Sequence, residues 1–169
     1  MTDIADYDHT YGPEFISEDG ELTERGEWTI SHALGLLAQA AHRNARSKGW
    51  YDEGRGFPEE LALVHSEVSE VLEAHRDGSG SNEHRYSVSD KDNPGLVWRD
   101  FKPHPKTYAE WGLHGVIAKP EGIPSESADI LIRVADYAGN PDRPVDIGRA
   151  VVEKLRYNRT RPRKHGRAL

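Results

Sequence analysis

PSESADILIRVADY, residues 124–137, decides how the rest of the chain is read. At helical pitch Glu126, Asp129, Arg133 and Asp136 fall on one narrow polar stripe. Ala128, Leu131, Ile132 and Ala135 lie to one side of it, and Ile130, Val134 and Tyr137 to another. A helix apolar nearly all round belongs inside a core. Its acids then point away from bulk water, and carboxylates in such a place need a cation partner.

Three other stretches carry the helical period. The first starts near Thr29 or Ser31, either of which can cap it, and runs to about Ser47, with Ile30, Leu34, Leu37, Ala38 and Ala41 on one stripe. The second follows Pro58, with Leu61, Val64, Val68, Val71 and Leu72 as its core stripe, and ends at the turn residues Asp77 to Ser81. The last runs from Pro144 to Arg159 on Val145, Ile147, Val151, Val152 and Leu155. Together these predict an all-α fold, a four-helix bundle with an irregular insertion over about 82–122, between the second and third core helices.

The insertion holds Pro94, Pro103, Pro105 and Pro120. Val97-Trp98 and Val116-Ile117-Ala118 read as short strands, enough for a small β-hairpin, and Lys106 to Leu113 as a helical turn or two. So long a connection in a compact domain is usually functional or mobile. Residues 1–25 are strongly acidic and read as a loose tail or a wrapping arm, leaving 26–169 as the domain.

The net charge of −7 argues against general affinity for nucleic acid. With no cysteine, disulfides and thiolate metal sites are excluded. There is no apolar leader, and no run is long enough to span a bilayer. The expectation is a soluble cytoplasmic protein without a membrane partner.

Two acidic pairs carry the chemistry. Glu67 and Glu70 sit three apart on the second helix, Glu126 and Asp129 three apart on the third. Bundles commonly build metal sites from inward side chains on facing helices. All-oxygen ligands suit Mg²⁺ or Mn²⁺. Four acids would serve more than one ion, or leave one acid free to orient water. Either pair alone has an ordinary alternative, as a solvated face or as first-turn acids that complement a helix dipole. Both pairs together favour metal.

Lys154, Asn158 and Arg161 share a face if the last helix continues, and a Lys, an amide and an Arg suit phosphate oxygens. A solvated basic end at a helix C-terminus is the ordinary alternative. His42 and Trp50 precede the acidic helix; an indole can stack on a base and an imidazole can bond its edge. A core Trp at a helix end explains the indole equally well.

The stretches HSEVSEVLEAHR, KPEGIPSESADILIRVADYAG and EKLRYNRTRPRKHG, in that order, resemble the MazG-like nucleotide pyrophosphohydrolases of the all-α NTP pyrophosphatase superfamily. The resemblance implies a helical bundle, usually a homodimer or homotetramer. It implies Mg²⁺-dependent cleavage of a nucleoside triphosphate, NTP or dNTP, to the monophosphate and pyrophosphate. It implies that Glu67, Glu70, Glu126 and Asp129 hold Mg²⁺, that Lys154 and Asn158 meet the phosphates, and that His42 and Trp50 contact the base. Arg161 is added by its place beside them. The departure is the long segment between Glu70 and Glu126, where minimal members are brief. Rival readings are the same fold acting on dUTP, dCTP, phosphoribosyl-ATP or an alarmone, and a non-catalytic helical interaction protein.

The apolar residues on two sides of the third helix, with Leu63 beyond the main face of the second, also predict a dimer that covers them. The alternative cover is the insertion itself, through Val97, Trp98, Trp111, Val116 and Ile117.

Overall fold

The computed structural model describes residues 11–88, 96–99 and 118–162. The chain divides into two compact units, 1–45 with 135–169, and 46–134. In chain order the elements are helix α1 (Glu24–Ser47), helix α2 (Phe57–Arg76), strands β1 (Arg85–Val88), β2 (Leu96–Arg99) and β3 (Lys119–Glu121), helix α3 (Ile123–Ala138) and helix α4 (Ile147–Arg159). The fold class is all-α, as the sequence predicts, with the small sheet set between α2 and α3. No helix among the described residues is long and apolar enough to cross a membrane.

In the first unit α1 begins well before Thr29. Its cap is Thr23, whose Oγ1 accepts from the Gly26 amide at 3.1 Å and donates to the Glu14 carbonyl at 2.6 Å. Glu24 and Glu27 then complement the positive end of the helix dipole. Thr29 instead spends its hydroxyl on the Arg25 carbonyl, one turn back. Asp146 caps α4 by accepting from the Arg149 amide.

The helices of this unit meet through small residues. Ala38 and Ala41 of α1, and Ala135 and Ala138 of α3, are buried. A Cβ added to Gly139 would stand 2.2 Å from the Ala38 carbonyl oxygen, and one on Gly148 2.5 Å from that of Ser31. Backbone therefore approaches backbone at both places, which only glycine permits. The acidic N-terminal segment wraps rather than trails from residue 11 onward. Ile16 bridges Leu22, and Asp19 and Glu21 both pair with Arg159 of α4. Residues 1–10 lie outside the described part.

In the second unit Pro58 occupies the first turn of α2, as expected. The inward face of the helix differs from the apolar stripe. Glu60 and Glu67 are buried, while Leu61, Val68 and Leu72 are 39%, 49% and 47% exposed. The carboxylates turn inward because they have partners there. The Tyr51 hydroxyl donates to Glu60 Oε1, and Arg133 of α3 donates to Glu67 Oε1. On α3 the same inversion holds: the polar stripe is buried or half-buried, and Leu131 and Ile132 are exposed.

The insertion contributes a three-stranded antiparallel sheet in the order β2-β1-β3. The Val97-Trp98 strand is there as β2, paired with Tyr86 and Ser87 of β1. The third strand is Lys119–Glu121, with Pro120 tolerated because β3 is an edge. The expected helical turn at 106–113, and Trp111, Val116 and Ile117, lie outside the described residues. Gly122, at φ +93°, turns the chain from β3 into α3.

Candidate metal centre

The second unit brings together three of the four predicted carboxylates. One oxygen each from Glu67 on α2 and from Glu126 and Asp129 on α3 lie within 4.8 Å of one another. The Glu-x-x-Asp spacing puts both α3 acids on one face, and the inward turn of α2 brings Glu67 to meet them. Glu67 and Glu126 are buried, and Asp129 is half-buried.

Glu70, the fourth, stands apart from this trio and is exposed. It lines a neighbouring cavity and acts on Glu126 through space. Arg133 Nε donates to Glu67 Oε1 at 2.8 Å. Its guanidinium lies 5.3 Å from the centre of the Trp50 ring, and that of Arg55 lies 4.6 Å from it. Trp50, predicted to stack on a base, is half-exposed and carries both cations.

The sequence reading missed Lys119 and Glu121. Both project from the same side of β3, two residues apart. Glu121 Oε1 accepts from Ser87 of β1 at 2.8 Å, and Glu121 Oε2 accepts from Lys119 Nζ at 3.0 Å. The strand thus supplies a fixed cation to the carboxylates. The Glu121 bond holds the Lys119 ammonium above its usual range, with Glu126 and Glu70 adding to the effect. Its signal, a short edge strand containing a proline, is too faint to find by period.

Burial pushes the Glu126 carboxyl up to about 7; Lys119 opposes this, while Glu70, Glu121 and Asp129 add to it. Asp129 is raised too, first by burial and then by Glu67, against Arg133 and Lys119. Negative charge is therefore in excess, and a cation would relieve it.

The donor set fits a hard ion. Mg²⁺ binds oxygens at about 2.1 Å, so opposite ligands stand roughly 4.2 Å apart. Oxygens already within 4.8 Å close on such an ion by small side-chain adjustments. Sulfur and imidazole are absent from the trio, which argues against a softer metal.

A pH dependence follows. A carboxyl raised in the fold stabilises the protein below the usual carboxylate range, and that contribution is lost as pH rises through about 7. A metal ion must displace the same proton. Mg²⁺ affinity should therefore weaken by up to about tenfold per unit as pH falls below 7, and Glu126→Gln should flatten that slope. Calorimetric titration at several pH values checks this; a parent slope equal to that of Glu126→Gln would remove Glu126 from the site.

The remaining predicted residues belong to the first unit. Lys154 and Asn158 are exposed on α4, the former with its ammonium 5.1 Å from the Tyr157 ring centre. The helix stops at Arg159, with Thr160 as its cap, so Arg161 leaves the face it was expected to share. His42 is buried, and its Nδ1 lies 3.1 Å from Asp136 Oδ1. That pairing ties α1 to α3 and turns the imidazole inward. Compared with known proteins, the chain matches no family model, no curated protein and no solved structure.

Proposed function

We propose that the protein is a Mg²⁺-dependent nucleoside triphosphate pyrophosphohydrolase of the MazG-like kind. The observation that carries this reading is the convergence of Glu67, Glu126 and Asp129 from two helices on one spot. The ordered resemblance of the two acidic pairs and the Lys154–Asn158 helix supplies the substrate class. Mg²⁺, or Mn²⁺ in its place, would be held by that trio. When bound, it would neutralise the triphosphate and polarise a phosphoryl oxygen.

The chain's own part is positioning and electrostatics. Glu67, Glu126 and Asp129 would hold the metal, and their place on α2 and α3 fixes where it would sit. A carboxylate not spent on the ion, Glu70 being the free one of the four, accepts a proton from the attacking water. Lys119, held by Glu121, offers positive charge to the departing pyrophosphate. Lys154, Asn158 and Arg161 are assigned to phosphate, and His42 and Trp50 to the base, on the resemblance alone. Calorimetry with Mg²⁺ and a non-hydrolysable triphosphate tests the reading. Binding of the triphosphate that requires Mg²⁺ supports it, and binding of neither would make the protein an interaction module.

The assembly belongs to the same reading. Leu61, Val68 and Leu72 on α2, and Leu131 and Ile132 on α3, are large apolar side chains left in contact with water. Monomers rarely expose large contiguous apolar patches, and a two-fold dimer is the commonest cover. Light scattering coupled to size exclusion should give at least twice the chain mass across a dilution series. A monomer at every concentration would assign the cover to the insertion.

A further inference from the structure

The loop that leads into α2 holds a cation that the trio does not use. Residues 49–54 fold into two overlapping turns, closed by the Asp52 amide on the Gly49 carbonyl at 3.1 Å and the Gly54 amide on the Tyr51 carbonyl at 3.2 Å. The turns bring Trp50, Tyr51 and Arg55 together. The Arg55 guanidinium lies 4.6 Å from the centre of the Trp50 ring and 5.4 Å from that of Tyr51. Its side chain is only 5% exposed. Yet none of its N–H groups makes a hydrogen bond among the described residues. The carboxylate paired with it, Glu59, is itself exposed, and its Oε1 stands 3.9 Å from Arg55 Nε, beyond hydrogen-bond reach.

Buried guanidinium groups are nearly always paired and bonded, so this one points to a ligand. A ligand can reach it. Ser79 Oγ is the one side-chain polar atom among the described residues that is both enclosed and unbonded, so the nitrogens of Arg55 keep a path to solvent. Trp50, beside them, is half-exposed. Arg133 brings a second guanidinium to the same ring, at 5.3 Å. It gives Nε to Glu67 of the trio, and its terminal amino groups make no bond among the described residues. All of these residues belong to the second unit.

Two planar forks of N–H donors thus share one indole next to the carboxylates. A lone carboxylate fills a single fork. A phosphate group has three terminal oxygens and a charge of about −2 near neutral pH, enough for both. We propose that Arg55 and Arg133, held on Trp50, form an anion site for a phosphate group, free or carried by a nucleotide. The proposal stands apart from the hydrolase reading, since a phosphate-binding protein without turnover would use the same donors.

Calorimetric titration of the full chain with inorganic pyrophosphate and with a nucleoside monophosphate, in chelator and at low salt, tests it. The parent should bind at least one of them, and Arg55→Met should bind it about tenfold more weakly. Without anion, Arg55→Met should melt no lower than the parent. It removes a buried charge that has no hydrogen bond, and its thioether still packs on the rings. Equal affinity in parent and variant, or no binding of either anion by the parent, would overturn the proposal and leave Arg55 as packing. Should Arg55→Met fail to fold, Arg55→Lys decides. It keeps the charge on the rings and loses the fork, so it should bind severalfold more weakly; unchanged affinity would overturn the proposal. Arg55-dependent binding of the monophosphate would name a nucleotide as the source, and of pyrophosphate alone an inorganic anion. Because chelator is present throughout, a result against Arg55 leaves the metal trio untouched.

Discussion

Asp129→Asn and Glu126→Ala should each abolish turnover while leaving the helical spectrum intact. Asp129 and Glu126 supply two of the three oxygens that gather within 4.8 Å. Asp129→Asn keeps the shape and removes the charge, so it separates electrostatics from packing. Losing the ion forfeits several kcal/mol of charge stabilisation, and roughly 4 kcal/mol corresponds to about a thousandfold in rate. The fold should not suffer. Burial already penalises the ionised form of Glu126, so Glu126→Gln should leave the thermal midpoint of the metal-free protein unchanged or raise it above pH 7. Steady-state rates beside circular dichroism melts read both halves. Full activity in both variants would dismiss the trio. Lost activity with lost structure would mean that the carboxylates act in the fold.

The largest effect on stability should come from Gly139→Ala. The added methyl would lie 2.2 Å from the Ala38 carbonyl oxygen and 3.0 Å from His42 Cβ. The obstacle is backbone, which cannot rotate away as a side chain can. Overpacking of this kind costs about 3 kcal/mol. In a chain of this length that lowers the thermal midpoint by roughly 6 to 12 °C. Gly148→Ala, 2.5 Å from the Ser31 carbonyl, should behave alike. Two melts within a few degrees of the parent would show that α1 does not approach α3 and α4 backbone to backbone.

The helices were legible where period and punctuation agree. The third was placed to within a residue at each end, because an apolar surround leaves no other solution for 124–137. The start of α1 was misplaced because Thr29 and Ser31 look like caps. The working cap, Thr23, sits among acids that read as tail, and its hydroxyl also donates to the Glu14 carbonyl of the folded-back arm. On α2 the hydrophobic stripe misled. Glu60 and Glu67 take the inward face because Tyr51 and Arg133 receive them there, and both partners lie outside the helix.

The candidate site divides in the same way. Glu67, Glu126 and Asp129 could be picked out by spacing alone. Lys119 and Glu121 could not, since their place is set by strand pairing with β1 rather than by any period.

Pyrophosphate release across a panel of ribo- and deoxyribonucleoside triphosphates, with Mg²⁺ and again with chelator, tests the central claim most directly. The account predicts that at least one triphosphate yields equal amounts of monophosphate and pyrophosphate with Mg²⁺, and none with chelator. A panel extended to phosphoribosyl-ATP and alarmones separates the rival substrates. No pyrophosphate from any of these nucleotides in the presence of Mg²⁺ or Mn²⁺, by a folded chain, would contradict it.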